Sequence, residues 1–205
     1  EKEVGVVRPF PLNTVALLKL ASKVLGMGPQ RTMQVAERLY LSGLVSYPRT
    51  ESTAYPSSFD LRHAISQHTS HPAYGAYAAS LLSSAPTKPR KGHDAGDHPP
   101  ITPVASPRGG LGGEEGRVYD LICRQFLASV SPDAKFKATT VALSVGKEKA
   151  TLSARKLISP GFLAILNRSM HVVEEEEGGG GEDPTREEGH WVGSVHEGMV
   201  LPIAS

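Results

Sequence analysis

Gly43-Leu44-Val45-Ser46-Tyr47-Pro48-Arg49-Thr50-Glu51-Ser52 interrupts the helical periodicity that precedes it. Pro48 disfavours helix at Tyr47 and holds that residue in extended backbone. Residues i and i+2 of an extended segment share a face, so Tyr47 and Arg49 are expected to look the same way. A phenol beside a guanidinium suits attack on a phosphodiester. The hydroxyl is a nucleophile, and the guanidinium binds phosphate oxygens with two parallel donors. The plain alternative is a Tyr packed in a short strand and an Arg in solvent.

Outward from this stretch the pattern is helical on both sides. Asn13 or Thr14 can cap a helix with Leu17, Leu18, Ala21, Val24 and Leu25 on one face, ending at Gly26. A second helix is expected from near Thr32, presenting Val35, Ala36, Leu39 and Tyr40 and stopping at Gly43. Two helices followed by an extended segment is a winged-helix-like order, common in DNA-binding domains and also found in all-α domains without a ligand. Pro56-Ser57 opens a short helix through Leu61 and Ile65, and Pro72 opens another through Tyr74, Tyr77, Leu81 and Leu82. Residues 84–113 read as a long loop with a mobile tip near Gly109–Gly113. Val118, Leu121, Ile122, Gln125 and Phe126 mark a further amphipathic helix.

The period changes after Pro132. Thr139, Val141, Leu143 and Val145 alternate, as do Ala150, Leu152 and Ala154, with Gly146 between, which predicts a β-hairpin. Ser159-Pro160-Gly161 is a turn, and Phe162–Leu166 returns as a strand or a helical turn. Glu174–Glu177 and Gly178–Gly181 form a solvated linker, and Val195–Ile203 reads as a final strand.

The 205 residues suffice for one or two domains with a real core. Net charge is +1 but uneven: residues 1–131 hold 14 Lys and Arg against 10 Asp and Glu, and residues 132–205 hold 8 against 11. The first part is therefore the one that favours polyanions. Cys123 is the single cysteine, which excludes an internal disulfide and fits a reducing compartment. No signal peptide or membrane span is evident. The chain starts at Glu1 in strand-like sequence and reads as an excised fragment.

A second chemistry-bearing stretch is Gly92-His93-Asp94-Ala95-Gly96-Asp97-His98-Pro99-Pro100-Ile101-Thr102-Pro103. His98 can donate to a phosphate oxygen or orient acidic neighbours. Asp97 and the two prolines fix the loop's shape. Two His and two Asp in six residues could also be metal ligands, although no further Cys or His cluster accompanies them. Lys88, Arg90 and Lys91 form a basic cluster beside this stretch. Thr50 and Ser52 can bond to backbone, capping a turn, or to phosphate.

Pro9-Phe10-Pro11-Leu12-Asn13-Thr14, Thr32-Met33, Ala36-Glu37-Arg38-Leu39-Tyr40 and the Tyr47 stretch, in that order, closely resemble the active-tyrosine region of type IA DNA topoisomerases. The Gly92–Pro103 stretch resembles that family's second signature, in the form typical of its topoisomerase III beta branch. The resemblance runs from about Val6 to Phe162. It implies that Tyr47 is the nucleophile linked to a 5′ phosphate, that Arg49 contacts the scissile phosphate, and that His98 is an active-site histidine. Strand passage and religation without ATP follow.

DNA contacts are expected from Arg49, Thr50, Ser52 and Lys91, the last as part of the basic cluster, whose plain alternative is a solvated loop. The resemblance implies single-stranded DNA, or RNA, as partner, and a nuclear location, also cytoplasmic. In the family, Mg²⁺ belongs to a separate Toprim domain that is not in this sequence. No metal is therefore expected on this chain, and the gate-base domain is missing too. The expected fold is α+β. A mostly α-helical, winged-helix-like domain over residues 9–131 is inserted into a partial antiparallel β arch made of 1–8 and 132–205. Two alternatives stand beside this. One is a non-catalytic single-strand-binding module in which Tyr47 stacks on a base. The other is a metal-dependent hydrolase built on the His93/His98 loop.

Overall fold

The computed structural model describes residues 2–107, 109–145 and 148–166. The Glu/Gly run and the expected strand over 195–203 lie outside the described residues. Strand β1 (Lys2–Val6) leads into helices α1 (Thr14–Leu25), α2 (Pro29–Leu41), α3 (Leu61–Ser66), α4 (Gly75–Ser84) and α5 (Gly113–Ser129). Strands β2 (Ala134–Val145) and β3 (Glu148–Ser159) follow, then a 3₁₀ turn over Gly161–Ala164. Helices and one small antiparallel sheet make the fold α+β.

The helix ends follow local chemistry. Asn13 Oδ1 accepts from the Ala16 backbone N–H at 2.9 Å, which satisfies one of the free amides opening α1. Gly26 closes α1 at φ 64°, a left-handed value that costs a glycine little. Helix α2 begins at Pro29 rather than Thr32. Proline is pre-set for the first helical position, where its missing N–H is not needed. Helix α3 begins at Leu61 rather than at Pro56, because the Asp60 carboxylate accepts from the His63 N–H. Residues 56–59 form a turn, with the Phe59 N–H on the Pro56 carbonyl. Similarly, Pro72 precedes α4 instead of opening it.

Helices α1, α2 and α5 pack on one another, and α3 pairs with α4. Leu17, Leu20 and Ala21 of α1 meet Thr32, Val35, Ala36 and Leu39 of α2, all buried. The 32, 35, 36, 39 spacing is one helical stripe. Tyr40, expected on that stripe, stands 41 % exposed on the outer face. Helix α5 is the central element: Val118, Tyr119, Leu121, Ile122, Cys123, Phe126 and Leu127 are all buried. Burying each of its large apolar side chains is worth about 1.5–3 kcal/mol.

The sheet order is β1-β2-β3. Strand β1 pairs antiparallel with β2, Val6 opposite Ala134, and β2 pairs antiparallel with β3, Thr140 opposite Ser153. After β3 the chain returns as the helical turn, one of the two forms open for Phe162–Leu166. Phe162 and Ile165 join the helical core, and the Phe162 N–H bonds the Pro132 carbonyl.

The described residues between α4 and α5, 85–107 and 109–112, have no regular structure, and they decide where the second motif lies. Single β-bridges tie Ile101 to Leu12 and Pro103 to Val45. The Ile101 N–H bonds the Leu12 carbonyl at 2.7 Å, and Val104 N–H bonds Leu44 at 2.9 Å. No strand forms at Tyr47; the extended path is a loop with one bridge at Val45.

Candidate functional site

Tyr47 and His98 meet although they belong to different motifs. Three sets of hydrogen bonds fix the tyrosine loop, one to α1 and two to the histidine loop. First, Thr14 at the start of α1 grips the tyrosine loop: its hydroxyl donates to the Pro48 or Thr50 carbonyl, and Thr50 N–H donates to that hydroxyl. Second, the Ser46 N–H bonds the Thr102 carbonyl, and Thr102 N–H bonds the Ser46 hydroxyl. Third, the Thr53 and Ala54 N–H groups share the His93 carbonyl, and His93 N–H bonds the Thr53 hydroxyl. Gly92 is required there, since a Cβ on it would lie 2.2 Å from the Thr53 carbonyl oxygen.

Asp97 is the hub of the junction. Its carboxylate accepts from Glu51 N–H at 2.8 Å and from the Ser52 hydroxyl at 2.8 Å, while the Thr50 hydroxyl donates either to it at 3.1 Å or to the His98 carbonyl at 2.6 Å. The Glu51 amide, then the Ser52 hydroxyl, hold the Asp97 carboxyl well below the usual carboxylate range. Thr50 and Ser52 are buried, and Ser52 Oγ also accepts from Ala95 N–H. Their hydroxyls bond the Asp97 carboxylate and nearby loop backbone.

The tyrosine ring sits between two others. Tyr40 packs edge-on at 5.2 Å between centroids, and His98 does so at 4.7 Å. No hydrogen bond engages the Tyr47 hydroxyl among the described residues. Arg49 reaches the same helix as Tyr47 does: its Nε and Nη2 both donate to Glu37 Oε1, with the guanidinium side chain 57 % exposed. Glu37 and Tyr40 lie one turn apart on α2, so Tyr47 and Arg49 address one helix face. This agrees with the shared-face expectation, although no strand enforces it.

The basic cluster divides. Arg90 stacks on Phe10, 3.6 Å from the ring centroid, and donates to the Arg8 carbonyl. Lys88 and Lys91 are exposed. His93 and His98 are exposed, and Asp94 accepts from the Gly96 amide, which closes a turn. Among the described residues no three His, Cys, Asp or Glu groups converge as metal ligands. The Asp97 carboxylate is taken up by N–H and O–H donors, and His93, Asp94 and His98 are exposed.

Sequence reasoning did not single out Glu37, Tyr40 or Thr14 as site residues. Glu37 and Tyr40 are one turn apart on the outer face of α2, and that i, i+3 pair beside the tyrosine loop was the available signal.

Comparison with known proteins gives a consistent picture. The family model described as DNA topoisomerase matches residues 1–193. A mouse protein, DNA topoisomerase 3-beta-1, is 49 % identical over 166 residues, which are 80 % of this chain and 19 % of that protein. Arabidopsis thaliana DNA topoisomerase 3-beta is 48 % identical over 81 % of the chain, again 19 % of that protein. The chain thus spans about a fifth of these relatives, 19 % of their length. Among solved structures, full-length topoisomerase I from Thermotoga maritima matches with a TM-score of 0.62 at 21 % identity, covering 80 % of this chain and 28 % of that one. That likeness concerns the fold.

Proposed function

Because this chain belongs to the type IA DNA topoisomerase family, we propose that it carries the strand-cleaving tyrosine of a longer topoisomerase. The observation behind this reading is the placement of Tyr47. Its ring is held edge-on by Tyr40 and His98, its hydroxyl makes no hydrogen bond among the described residues, and the Arg49 guanidinium is anchored on the same helix face. The Tyr47 oxygen attacks phosphorus in a single strand. The P–O bond to the phenol forms, the bond to the 3′ oxygen breaks, and that oxygen leaves as a hydroxyl after taking up a proton. Arg49 neutralises charge gathering on the phosphate oxygens, and His98 donates to one of them. Reversal of the step reseals the strand without ATP, after another strand has passed.

On this reading residues 9–131 are a winged-helix-like helical domain, set into a β arch formed by 1–8 and 132–205. Toprim and gate-base domains belong to the rest of the whole protein, which acts on single-stranded DNA or RNA in the nucleus and also in the cytoplasm. The Mg²⁺ of the whole protein is assigned to the Toprim domain, and no step above passes through it. Lys91, exposed beside the His98 loop, adds a phosphate contact that fades with salt.

The test uses the whole protein with Mg²⁺ and an end-labelled DNA single strand, followed by denaturation. The native protein should leave a covalent adduct and Tyr47→Phe none, while Tyr47→Phe still binds the strand. An adduct in the Phe variant would assign the nucleophile elsewhere. Binding without any adduct from the native protein would favour a module in which Tyr47 stacks on a base.

A further inference from the structure

We infer that Glu37 is a positioning residue for Arg49, holding its guanidinium by one edge so that the other edge is presented to the scissile phosphate. The inference rests on the roles proposed above for Tyr47 and Arg49.

A guanidinium has five N–H donors in a planar fork. It can grip an anion side-on through Nε and Nη2, or end-on through Nη1 and Nη2. Glu37 Oε1 takes the side edge: Nε donates at 2.9 Å, and Nη2 donates to the same oxygen. Nη1 has no partner among the described residues. The end edge therefore stays open while the plane of the group is set. An unanchored Arg would lose this orientation to the rotamer freedom of its long side chain.

The anchor itself is placed firmly. Val35, Ala36 and Leu39 surround Glu37 in sequence and are fully buried against the core, which fixes the rotation of α2. One turn on, Tyr40 packs against Tyr47. The same helix face thus sets the nucleophile's ring and the phosphate-binding cation. Thr14 holds the backbone of the Pro48–Thr50 segment from the other side. A surface ion pair with both side chains this exposed adds little to stability, and its effect is on geometry.

The opposite arrangement is a carboxylate that merely parks the guanidinium and must be displaced by DNA. The two predict opposite kinetics. In the whole protein, single-turnover adduct formation on a labelled DNA single strand gives the rate. The dissociation constant is measured in a Tyr47→Phe background, where no adduct forms. Glu37→Ala should slow adduct formation about tenfold, the size of a lost charge-assisted hydrogen bond. It should leave the dissociation constant unchanged or lower, because a negative charge has gone. Glu37→Gln, which keeps an acceptor oxygen in place, should recover part of the rate. In an Arg49→Ala background, Glu37→Ala should cost nothing further.

An unchanged or faster rate in Glu37→Ala would establish a parked cation and overturn the inference. An undiminished loss in the Arg49→Ala background would also overturn it, because Glu37 would then act through another group. An adduct from Tyr47→Phe alone would instead defeat the underlying assignment of the nucleophile.

Discussion

The imidazole of His98 lies edge-on to the ring of Tyr47, centroids 4.7 Å apart and planes at 64°. The two residues come from separate loops, and beside the backbone bonds that join these loops one carboxylate, that of Asp97, next to His98 in the chain, ties them together. Asp97 binds the tyrosine loop through Glu51, Ser52 and Thr50. The pair is therefore a readout of loop docking.

Asp97→Asn should undock the loops in part. An amide cannot accept at both oxygens as the carboxylate does, and it loses the charge that strengthens those bonds. Limited proteolysis of the 92–98 segment should speed up, and adduct formation by the whole protein should slow. The carboxylate's contribution has a defined pH range. Its folded pKa is depressed, so the stabilisation is present above the normal carboxylate range and is lost as pH falls through the lowered value. Equal protease resistance of the Asn variant would show that the bridges at Leu12–Ile101 and Val45–Pro103 suffice.

Gly92→Ala tests the same junction by volume. The new Cβ would overlap the Thr53 carbonyl, at 2.2 Å from its oxygen and 2.5 Å from its carbon. Backbone must move, at a cost of about 1–3 kcal/mol by analogy with overpacked cores. A thermal melt should shift down by several degrees, and the adduct rate should fall with it. Gly112→Ala is the control for volume: among the described residues no atom lies within 4 Å of its Cβ and its φ is −105°, so only the modest cost of alanine at the N-cap of α5 should show.

Arg49→Lys distinguishes a fork from a charge. Lysine keeps the charge but cannot grip phosphate with two parallel donors. Adduct formation should fall strongly in Arg49→Ala and recover only partly in Arg49→Lys. Full activity of the Lys variant would mean that charge alone matters.

His68 gives a pH prediction away from the site. It is fully buried with Nε2 unpartnered, and burial lowers its pKa from 6.5 to about 4. The unfolded chain then takes up the proton first as pH falls. Stability should be level above pH 6.5 and decline toward about 4, by about 1.4 kcal/mol for each pKa unit. Melts across this range should show the slope, and the ring's C–H resonances should titrate late in the folded protein. Titration near the ordinary value would contradict the burial argument.

The fold was readable where one residue carried the signal. Asn13 and Gly26 bound α1, and the alternation after Pro132 yields the β2–β3 pair. It was less readable where two residues competed. Pro56 is a good helix starter, but Asp60 provides the cap that wins. At the candidate site, the chemistry-bearing residues stand out as motifs because each is unusual in its setting. Their partners do not. Glu37 is an ordinary helix residue until the tyrosine loop folds back over α2, and that approach depends on Thr14 and on the bridge from Val45 to Pro103. Contacts of this kind are set by tertiary packing, which no local period records.

Val6 faces Ala134 across adjacent strands, Arg8 pairs with Asp133, and Phe162 is buried beside α5. Three passes of backbone thus cross one narrow collar where the sheet meets the helices. The chain enters the helical part at β1 and leaves it at β2 side by side, and the turn after β3 closes back on the same place through the Phe162 N–H and the Pro132 carbonyl.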